Sequence, residues 1–90
     1  MLRISIVTDA DATTIKLEGK FLGPWCGEVT RTCRDAMAPP RRLPVRLDLY
    51  DVDFIDNDGL LAIRALRNGG GVTLSRCSNF VAELLHTERV

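Results

Sequence analysis

Apolar and polar residues alternate with a period of two in the first part of the chain. Leu2, Ile4 and Ile6 are separated by single polar residues, and Ile15 and Leu17 repeat the pattern after a polar turn. Residues spaced by two lie on the same face of a β-strand. The pattern therefore predicts two half-buried strands joined as a hairpin.

Helical spacing replaces this alternation after Gly19, where the second strand is predicted to end. The dipeptide Gly23–Pro24 predicts the start of a helix, because proline is tolerated in the first turn, where its missing N–H would have no partner. Pro39 and Pro40 predict the end of this helix. Its apolar positions are Leu22, Trp25, Cys26, Val29, Cys33, Ala36 and Met37.

A third strand is predicted where the period of two returns. Apolar and polar residues alternate along 45–50, and the polar positions are Arg46, Asp48 and Tyr50. A strand covered by helices on both sides would be apolar throughout. The alternation therefore predicts a sheet with one polar face and with its helices mainly on the other.

Two further helices and a short strand are predicted in the second half of the chain. One helix runs over about 58–68, and its inward positions are Leu60, Ile63 and Leu66. The glycines at 69–71 end it, and a strand follows at 72–74. Ser78 or Asn79 can cap the last helix, whose predicted apolar face consists of Phe80, Val81, Leu84 and Leu85.

The order of elements, β-β-α-β-α-β-α, defines the fold class. Strands that alternate with helices pair in parallel through right-handed crossovers, whereas the first two strands form an antiparallel hairpin. We therefore expect an α/β protein with a mixed four-stranded sheet. The 90 residues provide one core, so a single domain is predicted over 1–90.

Composition and charge narrow the classes of function. Twelve basic and twelve acidic residues cancel, so no nucleic acid is expected as a partner. No stretch has the pattern of a targeting segment or the length of a membrane span, so we expect a cytoplasmic protein without direct membrane insertion.

Groups with catalytic or metal-binding chemistry are few. Cys26, Cys33 and Cys77 include no C-x-x-C pair, and His86 is the only histidine. We therefore expect reduced thiols, no metal and no cofactor. No nucleophile lies near a base in the pattern, so no catalytic residue and no enzymatic activity are predicted.

The stretch DFIDNDGL at 53–60 concentrates carboxylates at the predicted start of the second helix. An EF-hand loop with Gly59 at its sixth position would carry apolar residues where two acidic ligands are needed. A looser magnesium site and an aspartyl-phosphate site remain as alternatives. A helix start explains the stretch without a ligand, since Asp56 or Asn57 can cap free N–H groups and Asp58 is favoured by the helix dipole.

The same stretch, placed between a strand and a helix, resembles the corresponding motif of a STAS domain. This is the fold of bacterial anti-sigma factor antagonists and of sulfate-transporter tails. The other segments that carry the resemblance are Leu17-Glu18-Gly19, Leu47-Asp48-Leu49 and the late Gly-Val-Thr-Leu strand at 71–74. The resemblance covers nearly all 90 residues and implies a protein-interaction module.

The phosphorylation site of the regulatory STAS proteins is not matched here. In those proteins the residue after the aspartate that corresponds to Asp56 is a serine or threonine, which a partner kinase phosphorylates. This chain has Asn57 there, followed by Asp58, and neither side chain has a hydroxyl. We therefore expect partner binding without phosphorylation at this position.

The resemblance implies a partner-binding surface at the start of the second helix, formed by Asp56, Asn57, Asp58, Gly59, Leu60, Leu61 and Arg64. The implied partner is an anti-sigma factor or a similar kinase-like regulator. A free-standing subunit bound to a membrane-transport ATPase is the first alternative, and a domain that senses a nucleotide or another small ligand is the second. A homodimer through the polar sheet face or through an edge strand is a further expectation.

Overall fold

The computed structural model describes residues 2–39, 43–69 and 71–88, with side chains up to Leu84. The elements are β1 (Leu2–Thr8), β2 (Thr13–Phe21), α1 (Gly23–Met37), β3 (Val45–Ile55), α2 (Asn57–Asn68), β4 (Val72–Cys77) and α3 (Asn79–Glu88). This confirms the predicted order β-β-α-β-α-β-α. Four residues to which the sequence assigned a role lie outside the described part: Pro40 and Gly70 entirely, and Leu85 and His86 by their side chains.

The four strands form one mixed sheet in the order β1-β2-β3-β4. β1 pairs with β2 in antiparallel orientation, as expected of a hairpin. β3 lies parallel to both β2 and β4, because α1 and α2 return the chain to the same end of the sheet between these strands. The predicted fold class is confirmed.

β2 is longer than the sequence indicated. Gly19 was predicted to end the strand, but β2 continues to Phe21. Gly19 has a φ of 103° and lies opposite Val52, between two shifts of the register of β2 against β3. At each shift β3 contributes one extra residue, a β-bulge that only slightly disrupts the ladder. The glycine therefore accommodates a distortion within the strand rather than a turn.

One hydrophobic core lies between the sheet and the helices. β2 and β3 provide its centre, where Ile15, Leu17 and Leu47 are fully buried. α1 adds Val29 and Cys33, and the inward positions of α2 are those predicted: Leu60, Ile63 and Leu66. Burial of each such side chain contributes roughly 1.5–3 kcal/mol to the stability of the fold. Above the sheet, α1 packs directly on α2.

Two side chains differ in exposure from what the pattern predicted. Phe80 was assigned to the apolar face of the last helix, but it is 43% exposed and its ring stacks on that of Phe54 at 6.3 Å, while Val81 enters the core. Asp48 was assigned to a polar open face, but it is only 6% exposed. Its partner, Arg76 of β4, explains the burial and is described below.

Candidate functional site

Asp56 holds the N-termini of two helices. It is the N-cap of α2, and its Oδ1 accepts a hydrogen bond from the backbone N–H of Gly59 at 2.8 Å. Its Oδ2 accepts a second bond, also of 2.8 Å, from the N–H of Gly23, the first residue of α1. The first N–H groups of any helix lack partners within that helix. A single carboxylate therefore satisfies one such group on each helix.

The start of α1 depends on this arrangement. Leu22, its N-cap residue, makes no side-chain capping bond, and the first turn contains no acidic residue. Asp58 also lies close, since a Cβ atom added to Gly23 would come within 2.8 Å of its Oδ2. The positive end of the α1 dipole is thus neutralised by two carboxylates that belong to the start of α2.

The turn is also fixed to the end of β2 through its backbone. The N–H of Asp56 donates to the carbonyl oxygen of Phe21 at 3.2 Å. Gly59 packs against the same carbonyl, and a Cβ atom there would lie 2.9 Å from that oxygen and 2.7 Å from Cγ1 of Ile55. Real Cβ atoms do not approach other atoms so closely, so only glycine fits at this position.

The predicted binding residues fall into two groups. Gly59 and Leu60 are buried, with Leu60 only 5% exposed, and the carboxylate of Asp56 is committed to the two helix starts. These three shape the turn and offer little side-chain surface to a partner. The second group, which is exposed, consists of Asn57, Asp58, Leu61 and Arg64.

Helical spacing brings the four exposed residues together as one surface. Positions three and four apart lie on the same face of a helix, so Leu61 lies next to Asn57, Asp58 and Arg64. We call these four residues the α2 strip. Leu61 is 56% exposed although α2 has a complete inward stripe of its own. The strip therefore combines one apolar side chain with an amide, a carboxylate and a guanidinium.

Asn57 has no hydroxyl to accept a phosphoryl group, and it is exposed at the first position of α2. Among the described residues, no cluster of histidine, cysteine, aspartate or glutamate side chains is suited to hold a metal ion. Two of the four carboxylates at 51–58 have other partners: Asp56 accepts two backbone N–H bonds, and Asp51 pairs with Lys16 at 2.9 Å.

An ion pair between a buried carboxylate and an exposed guanidinium joins β3 to β4, and the sequence analysis missed it. Nη2 of Arg76 donates to Oδ2 of Asp48 at 2.7 Å, and the guanidinium lies 4.9 Å from the centre of the Tyr50 ring. Burial raises the pKa of Asp48, but the bonds from Arg76 and from the N–H of Tyr50 outweigh it, so the pKa lies below the ordinary value of 3.8. Asp48 was on a predicted strand, but Arg76 lies beyond the strand predicted at 72–74, because β4 extends to Cys77.

A second surface feature lies away from α2, where the end of α1 approaches β1. An open groove of about 390 Å³ is present there, lined by Ile6, Thr8, Thr13, Thr32, Asp35, Ala36, Ala38 and Pro39. Ile6 faces the inner side of the sheet, opposite the buried Ile15, yet it is 56% exposed. The helices therefore leave the outer part of β1 uncovered.

No helix in the described part of the chain has the length and apolar character that crossing a membrane requires. The order and pairing of the strands and helices are those of a SpoIIAA-like α/β fold, which is STAS-like.

Comparison with solved structures supports this assignment. The structure of an uncharacterized protein of the DUF3478 family with a SpoIIAA-like fold, from Shewanella loihica PV-4, matches with a TM-score of 0.60. The match covers 98% of this chain and 77% of that one, at 14% sequence identity, so it concerns the fold alone. No family model matches the chain, and no curated protein matches it significantly.

Proposed function

We propose that this protein is a non-enzymatic protein-interaction module, similar to anti-sigma factor antagonists, that binds a regulatory partner through the α2 strip. The SpoIIAA-like fold supports the general class of domain. The observation that supports the location is the exposure of Leu61 beside three polar side chains on a rigidly held helix start.

The composition of the strip fits a protein partner. An apolar side chain surrounded by polar ones is the usual arrangement of an interface, in which the apolar anchor is dehydrated and the polar rim provides orientation. The carboxylate of Asp58 and the guanidinium of Arg64 provide both signs of charge at the rim. A partner with its own basic and acidic side chains around a small apolar pocket complements this surface.

Binding through this strip does not depend on phosphorylation of the helix start. A phosphoryl group would add a charge of about −1.5 to −2 to a surface where two carboxylates already lie. Asn57 keeps the position neutral, and its amide both donates and accepts hydrogen bonds. The protein therefore acts as a constitutive binder, and control of its activity lies with the partner or with the amount of protein.

The test is a quantitative capture experiment with the natural protein and with an Asp58→Lys, Leu61→Asp double variant. Tyr50→Asp is the matched control, because Tyr50 and Leu61 are each 56% exposed and Tyr50 lies on the sheet. We expect the double variant to lose an anti-sigma-factor-like or kinase-like protein that the control retains.

Three other outcomes decide against parts of the proposal. Selective loss of a transport ATPase from the double variant would assign the α2 strip to a transporter complex instead. If the double variant and the natural protein capture the same proteins in equal amounts, the α2 strip is not the binding surface. Stabilisation of the protein by nucleotides in a thermal-shift assay would favour ligand sensing.

A further inference from the structure

The two edges of the sheet differ in how they are protected against pairing with another strand. Edge strands of natural proteins commonly carry prolines, bulges or several charges, which prevent such pairing. β4 at one edge has an irregular register against β3, between Leu47 and Asp48. β1 at the other edge has the sequence LRISIVT, with a single charge and neither proline nor glycine, and its register against β2 is unbroken.

β1 also carries exposed apolar side chains on both of its faces. Ile6 on the inner face is 56% exposed, and Val7 on the outer face is 65% exposed. Among the residues that the structure describes, none covers Ile6 where the groove opens beside α1. A straight, nearly uncharged edge with such side chains is suited to accept another strand.

We propose that β1 pairs with β1 of a second copy of this chain, in antiparallel orientation about a two-fold axis at Ser5, to form a continuous eight-stranded sheet. A two-fold axis perpendicular to the sheet relates the inner face of one copy to the inner face of the other. With Ser5 on the axis, all seven residues of β1 take part, because Leu2–Thr8 is symmetric about its middle residue.

This register makes the strand complementary to itself. On the inner face, Ile4 of each copy lies opposite Ile6 of the other and covers its exposed side chain. On the outer face, Arg3 lies opposite Val7, and the small hydroxyls of Ser5 meet at the axis. Asp9 lies in the turn just beyond the end of β1, where its Oδ1 accepts the N–H groups of Asp11 and Ala12, so its negative charge is placed beyond Val7, near Arg3 of the other copy. No like charges oppose each other.

The proposed dimer leaves the α2 strip accessible. α2 packs against α1 and β4, near the edge of the sheet that lies opposite β1. The dimer would therefore present two α2 strips, one on each copy. Dimerisation and partner binding use different residues, so failure of one proposal is distinguishable from failure of the other.

The first test is sedimentation analysis of the natural protein from micromolar to millimolar concentration. We expect a reversible monomer–dimer equilibrium. A monomer over the whole range would overturn the proposal, and so would assembly beyond a dimer, because a two-fold pairing of β1 edges closes on itself.

Charge substitutions then test the register. Val7→Lys places an ammonium group opposite Arg3 twice in each dimer, and we expect the dissociation constant to rise about tenfold. Thr73→Lys, an exposed position on β4, is the control and should leave the constant unchanged. Adding Arg3→Glu to Val7→Lys should restore dimerisation, because opposite charges then face each other. Weakening by Thr73→Lys alone, or no rescue by the double change, contradicts the proposed pairing.

Hydrogen exchange provides a readout that needs no variant. The β1 amides that point away from β2 should become protected as the protein concentration rises. Protection that appears in α2 or β4 instead would place the interface elsewhere.

Discussion

The two ends of α1 lie in contrasting surroundings. At its start, the carboxylate of Asp56 accepts hydrogen bonds from the first turns of two helices. Gly59 packs there so tightly that a Cβ atom would collide with its neighbours. At its end, the helix leaves an open groove beside β1, and Ile6 stays exposed. The fold is therefore rigid where we propose that a partner binds and incomplete where we propose that a second copy packs.

The two surfaces favour binding for different physical reasons. A surface that is already ordered loses little conformational freedom when a partner docks. The α2 strip has this property because Asp56, which directly precedes it, is hydrogen-bonded to the end of β2 and to the start of α1. The β1 edge instead offers unpaired backbone groups and apolar side chains, which favour the addition of a strand.

The largest predicted effect is the loss of the double cap. Asp56→Ala removes an acceptor from both helix starts, and each lost cap costs about 1 kcal/mol, up to about 2 kcal/mol. We expect a decrease of about 2–3 kcal/mol in the free energy of unfolding, measured by urea denaturation. Asn57→Ala, at an exposed neighbouring position, is the control. An equal effect of the two substitutions would contradict capping of either helix start by Asp56.

Glycine substitutions compare the tight turn with an open helix position. Gly59→Ala forces a Cβ atom against the backbone oxygen of Phe21, and such overpacking costs roughly 1–3 kcal/mol. Gly27→Ala meets no atom within 4 Å and should stabilise α1 by up to about 1 kcal/mol. Thermal unfolding of the two variants should therefore shift in opposite directions, and a shift in the same direction would contradict the packing at Gly59.

The ion pair in the sheet predicts a specific sensitivity to acid. The pKa of Asp48 is lower in the folded protein than its ordinary value of 3.8, so the pair stabilises the fold above that pH, and this contribution is lost as the pH falls below it. Asp48→Asn should cost about 1–2 kcal/mol at pH 7 and should reduce the loss of stability between neutral and acid pH. Asp51→Asn, which removes an exposed pair with Lys16, should change stability by less than about 1 kcal/mol.

The smallest predicted effect is a difference in thiol reactivity along α1. Burial raises the pKa of Cys33 to about 11, whereas Cys26, nearer the helix start, is half-buried, with its pKa raised by burial and by Asp56 and Asp58. The thiolate is the reactive form. Alkylation followed by peptide mass spectrometry should label Cys26 before Cys33, and the reverse order would indicate that the groove end of α1 opens.

The sequence predicted those features that depend on neighbouring residues. The strand and helix periods yielded the order of elements and the inward stripe of α2, and Asp56 was a candidate cap from its position alone. The bond from Gly23 to Asp56 joins residues 33 apart, and the pair of Asp48 with Arg76 spans 28. Such contacts depend on how the strands are brought together, which no local pattern encodes.

The position of Phe80 illustrates the same limit. Its spacing to Leu84 suits an inward face, but Val81 fills the core, and Phe80 finds an aromatic partner in Phe54. Periodicity identifies an apolar helix face, but with two adjacent apolar residues at the helix start it does not decide which of them enters the core. Likewise, periodicity assigned Leu60 to the inward stripe of α2, but it did not show that Gly59 packs against the carbonyl oxygen of Phe21.

The most direct test of the account asks whether an exposed residue of the α2 strip contributes to partner binding without contributing to the stability of the fold. The affinity of the isolated partner should be measured by calorimetry for Leu61→Asp and Tyr50→Asp, together with the melting temperature of each variant. We predict that Leu61→Asp melts close to the natural protein and that Tyr50→Asp melts somewhat lower, because it loses the contact of the Tyr50 ring with Arg76. Leu61→Asp alone should weaken binding, by tenfold or more, as expected for an interface anchor. Equal affinity of Leu61→Asp and the natural protein would contradict the assignment of the α2 strip as the binding surface.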